Sequence, residues 1–311
     1  MPGEYKYLYG PVPSRRLGRS LGVDIVPLKV CTLDCIYCQL GRSSKTTIER
    51  SDYVPADAVL SELTQKIKDG LDADYITIAG SGEPTLNSQL GKLLNAIKKI
   101  TNIPLAVVTN GTLFFRDDVR ADCAKADVVL PSLDAGDEQT FRRINRPHAD
   151  ISIEKLVSGL AAFRNEFAGL IWLEVFFVGG LNTNTEQIAA IKGLIERIAP
   201  DKIHLNTAVR PTAEPHVAAL TPDELDAIVA KFGDSCEIIA DFSGGHAPAT
   251  DTKTTSEDVF SMLKRRPCSA ADVSAAFSIP PRLAAEHLTH LQQEGLIDSY
   301  QEGQALFFRA K

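Results

Sequence analysis

Cys31, Cys35 and Cys38 fall within eight residues, in VCTLDCIYCQLG, separated by three and two residues. Thiolates this close cannot all point into a core, and the spacing lets one loop wrap a single soft metal centre. Structural zinc wants four ligands, usually in two pairs, and no nearby His or fourth Cys supplies one. Iron–sulfur clusters are also held by Cys thiolates, normally four, so three would leave one iron of a [4Fe–4S] cluster open to another ligand. The other three cysteines, Cys123, Cys236 and Cys268, stand singly. Lone cysteines are mostly small apolar fillers, so no auxiliary cluster is expected.

Three further segments carry polar groups at intervals. In AGSGEPTL, Gly80, Ser81 and Gly82 let the backbone approach a ligand closely, and Glu83 offers a carboxylate to an ammonium. By itself this is an ordinary turn, and no Lys-Ser/Thr follows to make it a P-loop. Thr109 and Asn110 lie in TNG, and Ser132 and Asp134 in PSLDA. Arg15, Arg16 and Arg19 crowd GPVPSRRLGRSLG; Arg142, Arg143, Arg146 and His148 crowd FRRINRPH. Arginine forks suit phosphate or carboxylate, but each is read first as a partner for one of 40 acids. For Arg16 and Arg146, flanked by Ser, Gly or Pro, the two readings are balanced. Glu174, inside an apolar run, needs a partner if buried: either a ligand or an internal ion pair. His204 and Asn206 alternate onto one face of HLNTAVRP, with Arg210 beyond.

Positioning these groups requires strands. Between about residues 20 and 240, short β-branched runs (LGVDIV, DYITIAG, PLAVVTN, DVVLPS, IWLEVFFV, KIHLNTA, with CEIIAD as an extra) alternate with amphipathic stretches such as PADAVLSELTQKIKDG and TEQIAAIKGLIERI. That alternation marks βα units on a parallel sheet. The fold class is therefore α/β, read as a partial (β/α)6 TIM-type barrel; a complete barrel and a flat doubly wound sheet share the same pattern. In all of these, chemistry sits on loops at the strand C-termini, where the polar segments fall. The domain reading is a barrel over 1–245, a Gly/Pro/Ser/Thr-rich linker over 246–255, and a unit over 256–311 with three helices and a hairpin turning at Glu302-Gly303.

Taken together, the cysteine spacing with Tyr37 before the third cysteine, GSGEP, TNG and SLDA resemble the radical SAM superfamily, in its MoaA-like and wyosine-synthase-like branch. The resemblance covers about residues 10 to 210. It implies a [4Fe–4S] cluster on Cys31, Cys35 and Cys38, whose open iron is chelated by the amine and carboxylate of S-adenosylmethionine (SAM). It also implies SAM contacts from Tyr37, Gly80, Ser81, Gly82, Glu83, Thr109, Asn110, Ser132 and Asp134, with the GSGEP turn at the amino group. The implied activity is reductive cleavage of SAM to a 5′-deoxyadenosyl radical that abstracts hydrogen from a substrate: RNA, peptide or metabolite. An external donor of the flavodoxin or ferredoxin type would supply the electron. The alternative is an iron–sulfur-sensing transcriptional regulator, which has no need of the three downstream segments.

The unit over 256–311 resembles a winged helix-turn-helix, whose usual meaning is DNA binding. Its third helix offers Arg282, His287 and His290 but also Glu286 and Glu294. Groove readers carry a positive stripe, so docking or oligomerisation is favoured over nucleic acid. The whole chain of 311 residues has 33 Lys+Arg against 40 Asp+Glu, a net charge of −7, which removes a global field for phosphate backbones. The most apolar run, IWLEVFFVGGL, is too short to span a bilayer and carries Glu174. The first residues lack a secretory pattern, so a cytoplasmic location and no membrane contact are expected.

Overall fold

The short β-branched runs are buried on both faces, as parallel strands under helices must be. They form one sheet in a computed structural model that describes residues 5–43, 46–233, 235–240, 254–264, 267–277, 279–302 and 305–311. Its strands are β1 (Leu8–Ser14), β2 (Gly18–Val23), β3 (Tyr75–Ile78), β4 (Leu105–Val108), β5 (Val128–Leu130), β6 (Leu170–Phe177), β7 (Lys202–Thr207) and β8 (Cys236–Ile238). Spatial order equals chain order. Every βα unit thus adds its strand on the same side of the last, which is barrel winding. A doubly wound sheet would reverse direction at a switch point. Strands β2 to β8 are parallel, and β1 pairs antiparallel with β2 at the edge.

Helices α1 (Ala56–Lys68), α2 (Leu90–Ile100), α3 (Asp117–Cys123), α4 (Glu138–Ile144), α5 (Ile153–Glu166), α6 (Thr185–Ile198) and α7 (Pro222–Phe232) connect the strands. Their starts follow local chemistry: Asn184 caps α6, and Thr221 with Glu224 forms a capping box on α7, with Pro222 at its first position. One apolar core runs between sheet and helices, from Leu21 and Ile76 through Leu105 and Val129 to Leu173 and Leu205. Cys123 and Cys236 belong to it. A smaller cluster of Leu17, Ala106, Val128, Leu130 and Trp172 packs apart from it.

Two local features depart from the sequence reading. GPVPSRRLGRSLG, with no strand expected ahead of LGVDIV, is the hairpin of β1 and β2 with Arg16 in its turn; its prolines are tolerated because β1 is an edge strand. Helices α3 and α4, seven residues each, are too short to display a helical period.

The C-terminal segment folds as α8 (Ser256–Leu263), β9 (Cys268–Ser269), α9 (Ala270–Phe277), α10 (Pro281–Gln293), β10 (Ile297–Glu302) and β11 (Ala305–Ala310). The strands form an antiparallel sheet in the order β10-β11-β9. Its own core holds Val259, Leu263, Cys268, Val273, Leu288, Leu291 and Phe308. Residues 246–253 of the expected linker, and Gly303 of the expected hairpin turn, lie outside the described residues. Helices α8 and α9 pack against β1, and Arg210 Nε, just after β7, meets Asp272 Oδ1 at 3.2 Å. Among the described residues, no helix is long and apolar enough to cross a membrane.

Candidate functional site

Beyond the end of β2 the chain enters the cysteine loop, and the GSGEP turn after β3 grips it from one side. Lys29 N–H donates to the Ser81 carbonyl at 2.7 Å, and Glu83 N–H donates to the Val30 carbonyl at 2.9 Å. This clasp explains two glycines. A Cβ on Gly82 would lie 2.1 Å from the Val30 carbonyl oxygen, and Gly80 has φ of +146° with Asp24 2.5 Å from where its Cβ would stand. Asp24 accepts bonds from Ser81 N–H at 3.2 Å and from the Ser81 hydroxyl. Sequence reasoning missed Asp24, although a lone acid at the end of an apolar strand is a signal of such a partner.

Glu83 faces inward, contrary to the reading of an open carboxylate for an ammonium. It is 2% exposed. Its Oε1 accepts from Thr85 N–H at 3.1 Å, Thr85 Oγ1 at 2.6 Å and Thr109 Oγ1 at 2.5 Å, and its Oε2 from Asn110 N–H at 2.7 Å. Burial pushes the carboxyl pKa up, while the bonds from Asn110, Thr109 and Thr85 pull against it. The carboxylate is therefore a buried tie between the ends of β3 and β4. Asn110, fixed by it, sends Nδ2 to Thr32 Oγ1 at 2.7 Å and to Cys31 Sγ at 3.5 Å.

A second network reaches the loop at Tyr37 and Cys35. Asp134, after β5, is 2% exposed; it accepts from the Tyr37 hydroxyl, from Asn145 Nδ2 at 2.7 Å and from Phe176 N–H at 2.9 Å. Burial pushes its carboxyl up to about 6. The Tyr37 ring stacks on Phe176 with centroids 3.9 Å apart. Asp134 thus holds Tyr37 and does not present a free carboxylate to a cofactor. Asn145, at the C-terminal end of α4, also reaches Cys35 Sγ at 3.4 Å. It escaped sequence reasoning because its neighbours in FRRINRPH are cationic and drew the attention. Ser132 is half-buried and bridges to Glu174 through the backbone.

All three sulfurs receive a nitrogen donor: Cys31 from Asn110, Cys35 from Asn145, and Cys38 from Lys29 Nζ at 3.2 Å. Burial pushes the Cys31 thiol up to about 12 and Cys35 well above its ordinary value, with Glu83 and Asp134 adding to the respective shifts. Such thiols ionise only against strong positive charge, which a bound metal centre supplies. Among the described residues no three His, Cys, Asp or Glu side chains converge on one ion-sized point. Asn145 Oδ1, beside Cys35, is buried without a hydrogen-bond partner among the described residues, an acceptor open to an added donor. The residues present therefore fit an iron–sulfur cluster with a polar ligand beside it.

The remaining candidates mostly find protein partners. Glu174 forms an internal ion pair with Arg16, both 17% exposed at the side chain, and accepts from Asn206 Nδ2 at 3.0 Å. His204 is buried with Nε2 2.9 Å from Glu237, and burial depresses its pKa. Arg19 pairs with Asp72, Arg142 with Glu138, Arg146 with Glu214, and His148 stands 3.7 Å from Asp150.

The sequence profile described as the radical SAM superfamily matches residues 25–195. A protein of Brachyspira hyodysenteriae named GTPase Obg is 38% identical over 94% of this chain, which spans 43% of that protein's length. A UPF0026 protein of Methanocaldococcus jannaschii is 36% identical over 73% of this chain and 71% of its own. Among solved structures, TYW1 with a lysine–pyruvate adduct bound superposes with a TM-score of 0.54 at 22% identity, over 69% of this chain and 72% of that one, a likeness of fold.

Proposed function

Since this chain belongs to the radical SAM superfamily, we propose that Cys31, Cys35 and Cys38 hold a [4Fe–4S] cluster and that SAM binds beside it, making the protein an enzyme of radical chemistry. The observation that carries the reading is convergence. The segments after β3, β4 and β5, distant in sequence, reach the cysteine loop by direct hydrogen bonds, through Glu83 to Asn110 to Cys31 and through Asp134 to Asn145 to Cys35. When bound, the cofactors supply reductive cleavage of SAM to a 5′-deoxyadenosyl radical able to take hydrogen from a substrate.

This chain's residues orient and enclose. Gly80, Ser81 and Gly82 present backbone to the methionyl end of SAM. Ser132 and the Tyr37–Phe176 stack line the approach from β5 and β6. Thr109, Glu83 and Asp134 hold these groups in place without touching the cofactor. Asn110, Asn145 and Lys29 steady the thiolates, as outer partners of metal ligands do. A flavodoxin- or ferredoxin-type donor would supply the electron, and the chain would work in the reducing cytoplasm, where thiol ligands persist. The C-terminal unit we read as a winged helix-turn-helix serving in docking, with nucleic acid the lesser choice because Arg282 already pairs with Glu286 and His290 stands 3.4 Å from Glu294.

The test is anaerobic reconstitution with iron and sulfide, reduction by dithionite, and addition of SAM. The reading expects 5′-deoxyadenosine and methionine in equal amounts. A fully reconstituted, reduced protein that leaves SAM intact would refute it.

A further inference from the structure

In a chain with seven more acids than bases, one pocket has no acid in its wall. It has a volume of about 410 Å³ and is lined by Ile36, Arg142, Arg143, Arg146, Val178, Gly179, Leu181 and His216. Three arginines and a histidine supply its polar lining; Ile36, Val178 and Leu181 supply apolar surface. We propose that this pocket receives the oxyanion of a small substrate, a phosphate or carboxylate carried on an organic body of about mononucleotide size. Calling the ligand a substrate rests on the function proposed above; the anion site does not.

Charge accounting favours an anion. Arg142 is balanced by Glu138 at 2.7 Å and Arg146 by Glu214 at 2.6 Å, with Asp34 3.7 Å from Arg146. Arg143 is exposed and has no ion-pair or hydrogen-bond partner among the described residues. Among the described residues, at least one guanidinium in the wall is therefore uncompensated, and a guanidinium fork matches phosphate and carboxylate oxygens in pairs. Arg146 is also held in the left-handed region, with φ of +44°. A non-glycine residue there is strained and persists only where the surroundings demand it. The demand is visible: Asp34 N–H donates to the carbonyls of Asn145 and Arg146, which ties this backbone to the cysteine loop.

Position favours a substrate. Ile36 lies between Cys35 and Cys38, and its carbonyl accepts from Glu214 N–H at 3.0 Å, so the pocket opens against the cysteine loop itself. The Tyr37–Phe176 stack packs in one apolar cluster with the pocket's Ile36, Val178 and Leu181. A ligand anchored by its anion here would extend its apolar body along Val178 and Leu181 toward the cluster. The volume falls within the ~300–1,000 Å³ typical of small-molecule sites.

The full chain is titrated calorimetrically with inorganic pyrophosphate and separately with succinate, with and without the cluster and saturating SAM. The proposal expects saturable binding of at least one probe, weakened at least fivefold by Arg143→Gln. The exposed Arg282→Gln, outside the pocket, should change nothing. Preference for one probe tells phosphate from carboxylate. No saturable binding, equal loss in both variants, or displacement of the anion by SAM would overturn it. Binding that persists in a protein unable to cleave SAM would keep the anion site while the enzymatic reading fails.

Discussion

Replacing Glu83 probes the buried tie between β3 and β4. In Glu83→Ala, four donors lose their acceptor: Thr85 N–H and Oγ1, Thr109 Oγ1 and Asn110 N–H. Hydroxyls can rotate to new partners, but the two backbone amides cannot. Each stranded buried donor costs about 1–3 kcal/mol, so with a cavity added the loss should reach about 3–5 kcal/mol. That is a large share of the ~5–15 kcal/mol that holds a domain folded. Glu83→Gln keeps the shape and the three bonds to Oε1, and sets an amide NH2 against Asn110 N–H; one stranded donor predicts a loss of about 1–3 kcal/mol. Urea denaturation of the iron-free full chain measures both. The glutamine variant should stay folded and take up iron, allowing SAM affinity to be measured where the alanine variant is too unstable. A Glu83→Ala protein within about 1 kcal/mol of wild type would refute the network, because leaving two buried amides unpaired cannot be that cheap.

Cys31→Ala, Cys35→Ala and Cys38→Ala should each lose the brown chromophore and most of the iron, read by absorbance and metal analysis. Asn145→Ala, which removes the donor to Cys35, should weaken iron retention against a chelator about 10-fold, and electron paramagnetic resonance during a redox titration should show a more negative cluster potential. Asp118 is held well below the usual carboxylate range, first by hydrogen bonding to Arg116 and then by Arg50. A folded-state pKa below the unfolded value of ~3.9 contributes stability above that value, lost as pH falls through it. Thermal melts of the iron-free chain should therefore drop below about pH 4, and Asp118→Asn should flatten the drop. Truncation after Ala240 should leave a folded barrel that still takes up iron, since the C-terminal unit has its own core; circular dichroism and iron content check it.

The cysteine spacing, the strand sequence and the strand-end positions of GSGEP, TNG and SLDA were legible in the chain itself, because ligand spacing and apolar runs are local properties. So were the long helices, whose periods and caps are written in adjacent residues. Which way a polar side chain turns at a strand end is not local. Glu83 and Asp134 look alike as free carboxylates in sequence, and only the arrival of Thr109, Asn110, Tyr37 and Asn145 from other strands and helices buries them as positioning groups. The same holds for the arginines. Arg16 is consumed by Glu174, 158 residues away, whereas Arg143 is left facing an acid-free pocket whose wall is assembled from the cysteine loop, α4, the end of β6 and the 211–218 segment. Charge in a chain is a count of side chains; charge in a site depends on which partners the fold brings within reach, and only tertiary structure decides that.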